Sequence, residues 1–203
     1  MTGRFLTRIG AAAALLALAA GCAGGARPTA MVAPVAAETL IEQDNPLYRS
    51  VAVSTVSGGS ETNPMWTSQV SDQDFKTALN NSLDVAAIKA TSPGDAEFML
   101  DATLDDLEQP FFGGSLTVTS TVSYAVSDQA GAQVWTTRII APYTASFSDA
   151  FLGAERLRLA NEGSIKANIA QFMAELVAAS KADPAQFGAE PAPAAELDPL
   201  AQR

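Results

Sequence analysis

The 203-residue chain has no histidine and a single cysteine, Cys22, and these two shortages remove most of the familiar catalytic inventory. Without histidine there is no Ser-His or Cys-His nucleophilic pair, and the common zinc sites are out of reach. One thiol cannot close an internal disulfide, so the fold rests on its apolar core. Positive charge is scarce too: 12 Lys and Arg stand against 22 Asp and Glu, a net charge of −10. Binding nucleic acid through its phosphates needs clustered cations, so no nucleic-acid partner is expected. No apolar run approaches the roughly 20 residues needed to cross a bilayer as a helix. No metal, cofactor or enzymatic activity is expected from this inventory. Carboxylates alone remain for acid-base work, with nothing beside them to tune a base.

What is present starts in residues 1–21. Arg4 and Arg8 precede an apolar stretch from Ile9 to Ala20, and Ala19-Ala20-Gly21 place small side chains before Cys22. That order is a secretory signal peptide's. Leu18-Ala19-Ala20-Gly21-Cys22 resembles the lipobox of bacterial lipoproteins, with its leucine one position early. The resemblance implies cleavage before Cys22 and a diacylglyceryl thioether on its sulfur. Several acyl chains, each buried methylene contributing about 0.8 kcal/mol, make a stable anchor. Ala23 stands where aspartate tends to mark inner-membrane retention in enterobacterial lipoproteins, so the resemblance implies the periplasmic face of the outer membrane. Loss of residues 1–21 leaves 10 basic against 22 acidic residues. An anionic membrane surface repels such a body, and attachment falls to the lipid.

Residues 22–46 read as the lipidated cysteine and a flexible linker, because Ala, Gly, Pro and Val dominate without periodicity. Residues 183–203, with Pro184, Pro191, Pro193 and Pro199 among alanines and acids, read as a disordered tail. Residues 47–182 are then one folded domain, expected to keep its stability when both flanks are removed.

Inside it, strand and helix periods alternate. Val51 and Val53 open a first strand that stops at Gly58-Gly59. Ser71 with Asp74 makes a capping-box-like start, and Phe75, Leu79 and Leu83 recur every four residues on a helix. From Phe98 the period is two, with a phase slip at Asp105-Asp106 that predicts a bulge. Leu116, Val118, Val122, Tyr124 and Val126 form one face of the next strand, and Thr117, Thr119, Thr121 and Ser123 the other. A further strand runs from Val134 towards Phe147, with Trp135, Ile139, Tyr143 and Phe147 on one face and Pro142 marking an edge. Asp149 is placed to cap a long helix from about Ala154 to Ala182. Gly163 inside it predicts a kink or a close contact. The fold class is therefore α+β, in the order β-α-β-β-β-α. Two helices should lie on one face of a mainly antiparallel four-stranded sheet.

Four side chains are candidates for contact with a partner. Phe111 and Phe112 sit between Pro110 and Gly113-Gly114, where a turning backbone cannot put both rings on one sheet face, so at least one should be exposed. Arg156 and Arg158 concentrate positive charge in an acidic domain, and arginine is enriched at protein interfaces. Glu155 can pair with either on the helix surface. Met65-Trp66 in the first loop offers another aromatic, with burial favoured. Asp101, Asp105, Asp106 and Glu108 lie along a strand and read as a solvated sheet face.

A lipobox, a short spacer and β-α-β-β-β-α resemble the small outer-membrane lipoproteins that assist envelope assembly, among them the lipopolysaccharide-assembly lipoprotein and the auxiliary lipoproteins of ABC-type lipid transporters. That resemblance implies a membrane-tethered periplasmic adaptor docking on an envelope protein. The alternative is a lipoprotein that binds a small molecule or glycan. An adaptor should expose an apolar patch at a loop end, and a binding module should enclose an apolar pocket with convergent polar groups.

Overall fold

A computed structural model describes residues 24–62, 68–110 and 112–188. Cys22, Met65, Trp66 and Phe111 lie outside them. The elements are β1 (Val51–Ser57), α1 (Asp72–Val85), β2 (Phe98–Glu108), β3 (Leu116–Asp128), β4 (Gln133–Ala145) and α2 (Gly153–Ala182). The strands form one sheet in the order β1-β2-β3-β4. β1 pairs parallel to β2 across the α1 crossover, and the two hairpins that follow are antiparallel. This is the expected α+β order.

Local chemistry explains the boundaries. The Ser71 hydroxyl accepts from the Asp74 amide at 3.1 Å and donates to the Asp74 carboxylate at 2.7 Å, which starts α1. The β2–β3 register shifts between Leu104 and Asp106, so the bulge falls at the phase slip. Pro142 lies in β4, an edge strand, where a missing N–H is tolerated. Phe147, however, lies beyond the end of β4 and does not share its inner face.

Both helices cover the face built by Phe98, Leu100 and Leu104 of β2, Val122, Tyr124 and Val126 of β3, and Ile139 of β4. Phe75, Leu79 and Leu83 enter this core from α1, and Ile165, Ile169, Phe172 and Leu176 from α2. Tyr124 stacks on Phe172 with ring centroids 4.0 Å apart, and its hydroxyl donates to Asn168 Oδ1 at 2.9 Å. Burial pushes this phenol well above its ordinary pKa.

At Gly163 the helix meets β4. A Cβ on this glycine would stand 2.2 Å from the Tyr143 ring, so the close contact is what Gly163 permits. The next residue, Ser164, puts its hydroxyl into the β3–β4 seam, 2.8 Å from the Ser120 amide and 2.8 Å from the Ala141 carbonyl. It accepts from one strand and donates to the other, and so stitches the helix into the ladder.

The flanks depart from the sequence reading. Residues 24–46 are a strap packed along α2, with Ala26, Met31 and Ala33 in the main core. Arg27 binds Glu162, the Ala33 amide donates to Ser82 Oγ at 2.9 Å, and Lys181 Nζ donates to the Leu40 carbonyl at 3.0 Å. The absence of periodicity was misleading here: a strap crossing other elements needs a few apolar residues at the right places, with no repeat. The tail also begins as structure. Pro184–Phe187 is a 3-10 turn that buries Phe187 edge-on against Phe98, centroids 5.8 Å apart. The described fold thus runs from residue 24 to 188, wider than 47–182 at both ends, and residues 189–203 lie outside the description.

Candidate functional site

The β2–β3 turn and the β4–α2 connection lie at the same end of the sheet, because β3 starts where β4 ends: Leu116 pairs with Ala145. Four large apolar side chains are uncovered there. Phe112 is 90% exposed, Phe151 77%, and Phe147 and Leu152 each 54%. Phe147 and Phe151 meet edge to face, with centroids 5.1 Å apart. The sequence reading anticipated Phe112. It missed Phe151 and Leu152, which stand in a stretch with neither strand nor helix period.

Arg156 holds this tip together from within. Arg156, a candidate partner contact from the sequence, is only 6% exposed. Its guanidinium donates to the carbonyls of Ala150 at 2.8 Å, Phe151 at 3.2 Å and Gly113 at 3.0 Å. One planar group therefore ties both loops through their backbones, a task suited to its fixed fork of donors. The cation also lies 5.4 Å from the Phe147 ring centroid. Leu152 occupies the N-cap position of α2 and gives no side-chain cap. Asp149, expected in that role, instead closes the preceding turn. Its Oδ2 accepts from the Ser146 amide and hydroxyl, both at 2.7 Å, which holds its carboxyl below the usual range.

Arg158 is likewise buried, 8% exposed. It donates to Glu162 Oε1 at 2.8 Å and reaches Glu155 through both Nε and Nη2, the helix-surface pair read from the sequence. Arg27 approaches the same Glu162 from the strap, with its amide at 2.9 Å and its Nε at 3.0 Å. The hydrogen bond to Glu162 raises the Arg27 pKa further above its ordinary value. Both side chains paired with this buried carboxylate are guanidinium groups, so the cluster binds strap to helix. Beside it, Gln109 donates to Asn161 Oδ1 at 2.8 Å and to the Ser68 carbonyl at 3.0 Å, which locks the start of the β2–β3 turn onto α2.

A cleft of about 670 Å³ lies between the strap, the end of β4 and α2, lined by Arg27, Tyr143, Asp149, Glu162 and Lys166 among smaller residues. It is open, and its Arg27 and Glu162 bind each other. The acids of β2 face water: Asp105 pairs with Arg138 at 3.2 Å and accepts from Ser123. Among the described residues no cluster could hold a metal ion, and no helix is long and apolar enough to cross a membrane.

No family model and no curated protein sequence matches this chain. Three solved structures resemble its course. A candidate lipoprotein from Caulobacter crescentus is 14% identical, with a TM-score of 0.46 over 68% of this chain and 95% of the other. A Xanthomonas campestris protein assigned to the DUF330 family is 11% identical, with a TM-score of 0.48 over 76% and 95%. A minor lipoprotein from Acinetobacter baumannii is 14% identical, with a TM-score of 0.41 over 68% and 93%. These scores are too low to transfer an activity.

Proposed function

We propose that this chain is a lipid-anchored, non-enzymatic adaptor of the bacterial cell envelope, held on the periplasmic face of the outer membrane through Cys22. The lipobox supports the anchor, and the exposed apolar tip carries the adaptor reading. Four large apolar side chains at one loop end, fixed by a buried arginine, form a contact surface and not a pocket. The alternative of a small-molecule or glycan site draws less support, since the cleft is open and its central charges are already paired.

The test uses thiol accessibility, which is clean because Cys22 is the only cysteine and is acylated in this reading. Phe112→Cys and, at the opposite end, Ala130→Cys are treated with a membrane-impermeant maleimide in native outer membranes and after purification in detergent. The adaptor reading predicts that position 112 is protected in membranes and reactive in detergent, with position 130 reactive in both. Equal reactivity of the two positions in membranes contradicts it.

A further inference from the structure

The described chain begins at Gly24, at the same end of the molecule as the tip. The strap runs alongside α2 in the same direction: Arg27 meets Glu162, Asn45 meets Ser180, and Lys181 reaches Leu40. Followed backwards it heads for the start of the helix. At Gly24 a Cβ would stand 3.6 Å from Arg158 Cδ. Arg158 is five residues beyond Gly153, about 8 Å of rise from the first residue of α2. Cys22 is two residues before Gly24, a reach of at most about 7 Å. From Gly24 the two residues to Cys22 are enough chain to bring an anchored sulfur towards the turn that carries Phe151 and Leu152.

We infer that what covers Phe112, Phe147, Phe151 and Leu152 is the lipid bilayer itself, at the interface around the acylated Cys22; this rests on the lipid anchor of the reading above and puts lipid, in place of a protein partner, at the tip. A short tether raises the local concentration of the tip at that surface, so a contact too weak to bind alone becomes persistent. Aromatic side chains suit the headgroup boundary, where apolar groups enter by about 5–10 Å. Charge does not drive the contact. Asp149 and Glu108 are exposed near this end, and Arg156 and Arg158 are committed to internal partners. Apolar burial does, and Arg156 ensures that the rings enter as one unit. α2 then leads away from the membrane for about 45 Å, which carries its far end and the β3–β4 turn outward.

The acylated full chain, as Phe112→Cys and separately as Ala130→Cys, is labelled with an environment-sensitive dye. It is placed in protein-free vesicles of phosphatidylethanolamine and phosphatidylglycerol containing a nitroxide-bearing lipid. The bilayer contact predicts a blue shift at position 112, with quenching at least about threefold stronger than at position 130. A dye at 112 that stays in water, quenched no more than at 130, overturns the inference. If position 112 is nevertheless protected from maleimide in native membranes, a protein covers the tip, and the adaptor reading stands while the bilayer inference fails. Exposure in both settings removes both.

Discussion

At the far end of α2, Phe187 folds back and is 1% exposed against Phe98, and Leu47 and Ile88 nearby are fully covered. At the near end Phe112, Phe147, Phe151 and Leu152 are left open, although the backbone under them is tied just as tightly. Both ends have aromatic residues outside the strands and α-helices. The far end uses its aromatic to close the core. The near end uses three hydrogen bonds from a buried arginine to hold rings in water, an arrangement that contributes little to the isolated fold.

The sharpest way to break this contrast is substitution at the closed end. Phe187→Ala should cost about 3–5 kcal/mol, read from denaturant unfolding, because a fully buried ring leaves a cavity. Met31→Ala in the strap should cost about 2–5 kcal/mol for the same reason, whereas a flexible linker would show no change. At the open end Arg156→Leu should cost about 1–3 kcal/mol, since three loop carbonyls lose their donor, and it should raise hydrogen exchange in both loops together. Gly163→Ala gains helix propensity but drives a methyl into Tyr143, for a net loss of about 1 kcal/mol that Tyr143→Ala should restore. Smallest is Phe112→Ser, within about 0.5 kcal/mol of the parent, because the ring is exposed. If Phe112→Ser costs as much as Phe187→Ala, the two ends are alike and the contact surface is core.

The body of the fold was legible because its elements carry a period. Alternation gave the threonine-lined face of β3, the phase slip gave the β2 bulge, and Ser71 with Asp74 gave the start of α1. The strap and the 3-10 turn at Phe187 were not legible, since the strap anchors through three scattered apolar residues and the turn through one, both in stretches that carry proline, and composition alone resembles a solvated chain. The internal partners of Arg156 and Arg158 were not legible for a different reason. Sequence spacing shows where a charge begins, while its destination depends on carbonyls and carboxylates supplied by Gly113, Phe151 and Glu162. Phe112 was found through the turn chemistry around it, but its companions at the tip belong to a connection that only the sheet topology brings near.

All of this turns on whether the chain is fixed to its body immediately after the anchor. Amide hydrogen exchange on the acylated full chain reads that directly at Ala26, whose amide donates to the Gln69 carbonyl at 3.2 Å, and at Ala33, whose amide donates to Ser82 Oγ. The account predicts that both are protected to a degree approaching that of the α2 core amides. Exchange at free-chain rates at both sites would show that residues 24–46 are a loose tether after all, and the placement of the tip beside the anchor would fall with it.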